Sequence, residues 1–246
     1  MVTVLNNTNM ENLKGIIFDY GGTIDTNSRH WAEVLWEKYQ EAGVPVTKEQ
    51  FREAYVHGER TLAKFPLIKP YYKFIQVLQS KITVETEFLV HKEYWNVSDA
   101  ERREFTDKIA GLCNDYVLNV LDTTKAVVAE VADKYPVVLV SNFYGNINAI
   151  LDDFGLEPYF KAVIESAIVG VRKPDPKIYA LGVEALGLKP EEVLVVGDSF
   201  SKDIVPAKSI GCKTAWLKGE GWGNEEIDES VPDIIITDLE QLPSKL

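Results

Sequence analysis

Five polar side chains carry most of the chemistry open to this chain: Asp19, Ser141, Lys173, Asp198 and Asp203. Three of them close apolar runs. Gly15-Ile16-Ile17-Phe18 ends in Asp19, Val137-Val138-Leu139-Val140 in Ser141, and Val193-Leu194-Val195-Val196-Gly197 in Asp198. Short runs of this kind read as buried strands, and ligands of open α/β sheets sit just beyond the carboxyl ends of the strands. Lys173 stands in Arg172-Lys173-Pro174-Asp175-Pro176, and Asp203 follows Asp198 across a short turn. Gly21 and Gly22 leave room for backbone to approach a ligand. Taken singly, each group has an ordinary structural reading: a turn-forming aspartate, a hydroxyl at a strand end, a solvated loop lysine, a helix cap. Together and in this order they form a polar constellation on one sheet edge. An acidic chain that handles anions must concentrate positive charge at such a place or borrow a metal ion.

The elements that position these groups follow from periodicity. From about residue 28 to 120 the apolar residues fall at helical spacing. Trp31, Val34, Leu35 and Tyr39 make one stripe. Phe51, Ala54 and Tyr55 make a second, behind a capping box at Thr47 and Gln50. Tyr71, Phe74, Ile75, Leu78 and Ile82 make a third, with Pro70 expected at the first helical position. Phe105, Ile109, Leu112 and Tyr116 make a fourth, behind a capping box at Ser98 and Glu101. Their aromatic residues read as core. Beyond about 122, strands and helices alternate: a helix over 126–134, strands at 136–141, 162–166, 193–197, 213–217 and 233–237, and helices between them. Asp175 and Pro176 open one of those helices, and another begins near Asp203. The expected fold is α/β: a Rossmann-like, doubly wound parallel sheet interrupted after its first strand by an all-helical domain. The boundaries are an N-terminal tail over 1–13, an α/β core over 14–25 and 122–246, and the helical insert over 26–121.

Composition narrows the function classes. Lys plus Arg total 26 against 38 Asp plus Glu, a net charge of -12, and no basic block or stripe stands out. Nucleic acid is therefore not an expected partner. The two cysteines, Cys113 and Cys212, have no zinc-ligand spacing and read as buried thiols in a reducing compartment. No apolar run approaches the length needed to cross a membrane and no secretion signal is visible, so the expected location is the cytoplasm. Gly219-Glu220-Gly221-Trp222-Gly223 lacks the last glycine of a dinucleotide fingerprint, since Asn224 stands there, and reads as a loop.

Four motifs in order resemble the haloacid dehalogenase superfamily, whose members are mostly magnesium-dependent phosphatases. They are Phe18-Asp19-Tyr20-Gly21-Gly22-Thr23, Val140-Ser141-Asn142, Lys173-Pro174-Asp175-Pro176, and Gly197-Asp198-Ser199-Phe200-Ser201-Lys202-Asp203. The resemblance covers nearly the whole chain beyond residue 13, and the helical insert sits where one branch of the family keeps its cap domain. The resemblance implies that Asp19 attacks phosphorus and forms an aspartyl phosphate. It implies Mg²⁺ held by Asp19, the Gly21 carbonyl and Asp198, with Asp203 in or near that shell. Ser141, Asn142, Lys173 and Gly22 would meet the substrate, a small phosphorylated molecule. Lys173 would also offset charge on the nucleophile and the phosphoryl group. The physics agrees: carboxylates facing one another repel each other and an anionic ester, and a hard cation with oxygen ligands removes both obstacles.

One position departs from the pattern. The family's phosphatases carry a second aspartate two residues after the nucleophile, for proton transfer, and here that residue is Gly21. A carbonyl suffices for the metal, but a residue without a side chain cannot move a proton. Asp25 and His30 are the nearest substitutes. Three functions follow: a phosphatase with an impaired or replaced acid/base, favouring acyl or aryl phosphates; a non-catalytic phosphate- or metal-binding regulator; and a relative of the phosphonoacetaldehyde hydrolases. The last have a small residue at this position and need a lysine from the cap, for which Lys64, Lys69 and Lys73 are available. A true dehalogenase fits less well, because those members usually present tyrosine at the position of Gly21.

Overall fold

The structure is a computed structural model that describes residue 10, residues 12–220 and residues 227–246. Six strands form one parallel sheet: β1 (Gly15–Phe18), β2 (Val137–Ser141), β3 (Ala162–Glu165), β4 (Val193–Gly197), β5 (Lys213–Leu217) and β6 (Ile234–Ile236), in the order β3-β2-β1-β4-β5-β6. Every pairing is parallel, and Ile17 lies opposite both Val138 and Val195. The chain builds outward from β1 in one direction, then restarts at β4 and builds in the other. This is the doubly wound arrangement, whose switch point lies between β1 and β4.

The central strands are buried on both faces, which is why they read as unbroken apolar runs. Ile16 and Phe18 point to one side with Leu139, Leu194 and Val196. Ile17 points to the other with Val138, Val140, Val193 and Val195, against Ile178, Tyr179 and Val183. These last belong to the helix Lys177–Leu186.

Four helices precede β2: α1 (Trp31–Ala42), α2 (Lys48–Lys64), α3 (Phe74–His91) and α4 (Asp99–Lys134). Both capping boxes form, Thr47 with Gln50 and Ser98 with Glu101. Pro70 is not the first helical residue of α3. The Gln76 side chain accepts from the Lys73 N–H at 2.9 Å, and the helix begins at Phe74, one turn later than expected. The expected helices on either side of residue 122 are one continuous helix of 36 residues. No Gly or Pro interrupts 112–134, and the hydroxyls of Thr123 and Thr124 bond back to Val120 O without breaking the backbone ladder. Residues 121 and 122, where the sequence parts the helical layer from the α/β core, therefore lie inside α4. Its later residues Val127, Val128 and Val131 pack in the same apolar cluster as Phe18 and Leu139 of the sheet.

Shorter helices complete the core: α5 (Ile147–Asp153), one-turn α6 (Ser166–Val169), α7 (Lys177–Leu186) and α8 (Val205–Ser209). α7 begins at Lys177 with Pro176 at its N-cap, one residue later than the expected Asp175 cap, and Asp175 accepts from the Lys177 N–H at 2.9 Å. Between β4 and α8 the chain makes one wide π-type turn over Phe200–Ile204. Such turns often occur at functional sites.

Candidate active site

Asp19 continues β1 by one residue, and its N–H donates to Val196 O of β4 at 2.9 Å. Asp198 leaves the end of β4. The two carboxylates thus flank the switch point. Thr23 ties them: its hydroxyl lies 3.2 Å from Asp19 Oδ2 and 3.3 Å from Asp198 Oδ1, and it accepts from the Asp198 N–H at 3.1 Å. Glycine is required on both sides of this pair. Gly22 has φ +100, and a Cβ there would stand 2.4 Å from Asp198 Oδ2. A Cβ on Gly197 would stand 2.5 Å from Asp203.

Lys173 enters from the loop before α7. Its ammonium donates to Asp19 Oδ1 at 2.5 Å and to Asp203 Oδ1 at 2.8 Å, and the residue is only 5% exposed. The lysine is held from behind by Asn142, whose Oδ1 accepts from the Lys173 N–H at 2.9 Å while its Nδ2 donates to Lys173 O at 3.2 Å. Asn142, expected to meet substrate, instead spends both amide atoms on positioning Lys173. Gly22, expected to meet substrate, donates its N–H to Asp25 Oδ1 at 2.7 Å. Ser141 is buried at the carboxyl end of β2, beside β1 and level with Glu165 of β3.

Three protein donors hold Asp203. Oδ1 accepts from Lys173 and from the Tyr179 hydroxyl at 2.6 Å, and Oδ2 accepts from the Ser199 N–H at 2.9 Å. Tyr179 also lies with its ring face 5.4 Å from the Lys173 ammonium. Sequence reasoning passes over this tyrosine. Its one signal is a phenol on the apolar stripe of α7, which needs a partner once buried.

The charges do not balance. Asp19, Asp198 and Asp203 face a single buried cation, Lys173, and their oxygens lie within 4.8 Å of one another. Burial raises Asp19 to about 6, against the pull of Lys173. Burial and then the neighbouring charges of Asp19 and Asp203 hold Asp198 well above the usual carboxylate range. Burial disfavours the Lys173 charge, but Asp19 and Asp203 more than offset it and raise its pKa. Fully ionised, three carboxylates against one ammonium would carry a formal excess of two negative charges, which a divalent hard cation on oxygen ligands would neutralise. The residues present therefore fit a metal of the Mg²⁺ class.

This arrangement has relatives. A family model for haloacid dehalogenase-like hydrolases matches residues 13–211, which include all five groups. The chain belongs to the haloacid dehalogenase-like hydrolases. It is 39% identical over 88 residues to a glyceraldehyde 3-phosphate phosphatase of Pyrococcus furiosus, a match covering 35% of this chain and 37% of the relative. Over 244 residues, 96% of this chain and 94% of the relative, it is 26% identical to a phosphoglycolate phosphatase of Photorhabdus laumondii. Among solved structures it resembles the L-2-haloacid dehalogenase of Xanthobacter autotrophicus with a TM-score of 0.57 and 18% identity, covering 94% of this chain and 97% of that one. The chain matches little more than a third of the length of the first of these relatives.

Within this haloacid dehalogenase-like hydrolase, the two candidate proton-transfer groups near Gly21 are otherwise engaged. Asp25 is 1% exposed; Oδ1 accepts from Gly22 and Oδ2 from the indole N–H of Trp31 at 2.9 Å. Burial raises its pKa to about 7, although both hydrogen bonds pull the other way. His30 caps α1, its Nδ1 accepting from the Ala32 N–H at 3.1 Å, and burial followed by Lys202 and Lys81 lowers its pKa to about 4. The lysines considered for imine chemistry, Lys64, Lys69 and Lys73, are exposed, and Lys73 pairs with Asp153 at 2.6 Å. In the glycine-rich loop, residues 221–226 lie outside the described residues. Among the described residues no helix is long and apolar enough to cross a membrane.

Proposed function

We propose that this hydrolase is a magnesium-dependent phosphatase that releases phosphate from a small phosphorylated metabolite through covalent attack by Asp19. The observation that carries this reading is the Asp19–Lys173 ion pair set beside Asp198 and Asp203, three carboxylates around one ammonium. A nucleophilic carboxylate needs its charge offset where a phosphoryl dianion must approach. Phosphatases among the relatives support the substrate class.

Asp19, the Gly21 carbonyl and Asp198 would hold the metal. Mg²⁺ in that position would polarise the phosphoryl oxygens and neutralise the carboxylates. Asp203 would act through Lys173, whose ammonium it shares with Asp19. Asp19 would donate an electron pair to phosphorus while the ester oxygen leaves with its own pair. Water would then release phosphate from Asp19. The leaving oxygen finds no side chain at Gly21 to protonate it, so acyl and aryl phosphates, which leave without a proton, would turn over best. General acid–base help is typically worth about 10²–10⁴-fold, which sets the handicap for alkyl phosphates.

The test is a panel of aryl, acyl and alkyl phosphates with and without Mg²⁺, together with trapping of phosphorylated Asp19. Mg²⁺-dependent release favouring acidic leaving groups supports the reading. Absence of phosphate release and of labelled Asp19 in a single turnover would leave the non-catalytic alternative, a phosphate- or metal-binding regulator. Carbon–phosphorus cleavage draws no support from Lys64, Lys69 and Lys73, which are exposed, with Lys73 paired to Asp153.

A further inference from the structure

We infer that Trp31, the first residue of α1 in the helical layer, is a positioning residue that fixes the loop after the nucleophile. Its indole N–H donates to Asp25 Oδ2 at 2.9 Å, and Asp25 Oδ1 accepts from the Gly22 N–H at 2.7 Å. One buried carboxylate thus joins the helical layer to the backbone that separates Gly21 from Thr23. Gly22 in turn sits so close to Asp198 that a Cβ would overlap it, so a small displacement of Gly22 is felt at the carboxylate cluster.

The Trp31 ring also meets an aromatic ring of α3, which in turn meets one at the end of α5. Its ring centroid lies 5.8 Å from that of Phe74, the first residue of α3, and Phe74 lies 5.3 Å from Phe154 at the end of α5. The series Phe154, Phe74, Trp31, Asp25, Gly22 is one unbroken line of contacts. It starts in the core, crosses the helical layer and returns to the site. Coupling between sites needs such a contiguous line with a defined link at each step.

Other contacts hold this loop as well. The Thr124 hydroxyl of α4 donates to Ile24 O at 2.8 Å, and the Ile24 N–H donates to Tyr20 O at 2.8 Å. They fix Ile24; the Gly22 carbonyl accepts from the Ser28 N–H at 2.8 Å, and the Gly22 N–H is held by Asp25. Loss of the Trp31 N–H therefore acts on the residues nearest the carboxylates and spares the fold of the loop as a whole. Asp25 stands in this scheme as an acceptor for two donors, which is also why it is poorly placed to shuttle protons for Gly21.

The experiment compares the full chain with Trp31→Phe, Asp25→Asn and the double variant, by hydrogen exchange of the peptide over 19–25 without metal or substrate. Trp31→Phe keeps one aromatic ring for Phe74 and removes the donor together with the rest of the indole; Trp36→Phe makes the same change in size on the same helix and controls for it. Exchange at Gly22 should become about tenfold faster or more, as expected when a hydrogen bond to a buried carboxylate is lost. The melting temperature should stay within about 3 °C, a shift typical of a small local loss. The double variant should exchange no faster than Asp25→Asn alone, because both act through one carboxylate. Trp36→Phe, on the same helix but packed on Phe51 at 5.4 Å, should leave the loop unchanged. Unchanged exchange at Gly22 in Trp31→Phe, or additive effects in the double variant, would overturn the inference. A second arm rests on the phosphatase reading: kcat on an aryl phosphate should fall about tenfold with KM within about twofold. Because the exchange arm uses no substrate, its failure is separate from a failure of the phosphatase reading.

Discussion

The Lys173 ammonium lies 2.5 Å from Asp19 Oδ1, although the two residues are 154 positions apart in the chain. The same nitrogen reaches Asp203 at 2.8 Å, so one cation is divided between the proposed nucleophile and a carboxylate that Tyr179 and the Ser199 N–H also hold. This division keeps Asp19 available as an anion in a buried place. Four predictions follow from the surrounding geometry, besides the loop exchange experiment above.

Lys173→Met leaves Asp19 and Asp203 buried without their cation. Breaking one partner out of a buried ion pair costs about 3–5 kcal/mol, and part of this is relieved by proton uptake on the carboxylates. The variant should be least stable relative to the parent at pH 8 and recover at pH 5. Activity should fall by about 10²-fold or more, the usual effect of removing a fixed transition-state charge. Urea unfolding at the two pH values with kcat on an aryl phosphate checks this. A pH-independent stability loss would contradict the charge argument.

Gly21→Asp should raise phosphatase activity. The position is exposed, and an added Cβ meets only Asp25 Oδ2, at an ordinary 3.9 Å. The new carboxyl would supply the missing proton transfer, so the gain should be largest for alkyl phosphates, up to the range of about 10²–10⁴ given by general acid–base catalysis. No gain on any alkyl phosphate, with an unchanged melting temperature, would sink the missing-acid account.

Asp198→Asn and Asp203→Asn should differ in metal affinity. Asp198 offers Oδ1 only a 3.3 Å contact with Thr23, whereas Asp203 accepts from Lys173, Tyr179 and Ser199. Titration calorimetry with Mg²⁺ should show a loss of about tenfold or more for Asp198→Asn, as for a direct ligand, and a smaller loss for Asp203→Asn. Equal losses would place both carboxylates against the ion.

Glu85 of α3 should make the protein's stability depend on pH away from the site. It is fully buried; Oε2 accepts from the Tyr39 hydroxyl at 2.9 Å, and Oε1 has no partner among the described residues. Burial raises its pKa from 4.5 to about 7, with Lys81 and the Tyr39 bond opposing the rise. A carboxyl whose folded pKa exceeds its unfolded value binds its proton more tightly when folded. Its contribution therefore favours folding below about 4.5 and is lost as pH rises through about 7. Between pH 5 and 8 the stability gap between the parent and Glu85→Gln should shift in favour of the variant. Chemical unfolding at both pH values measures this, and a constant gap would refute the assignment.

Much of this protein is legible in its sequence because the signals are local. Apolar runs that end in Asp19, Ser141 and Asp198 define the central strands, since both faces of a parallel strand must be apolar. Thr47 with Gln50 and Ser98 with Glu101 fix two helix starts, since a capping box closes within four residues. Gly22 is legible as a place of close approach, though not what approaches it, and the need for glycine at 197 shows only once Asp203 stands beside it. The start of α3 and the continuity of α4 were harder, because both depend on which of several weak local signals the packing favours.

Tertiary structure alone decided what each polar group does. Asn142 reads as a substrate contact until the fold sets Lys173 across from it. Asp25 reads as a spare acid until Trp31 and Gly22 occupy both its oxygens. Tyr179 reads as core until its hydroxyl reaches Asp203. A side chain's residue type states which bonds it is able to make. Only the folded chain, by bringing distant positions within 3 Å and excluding water, decides which of those bonds it must make.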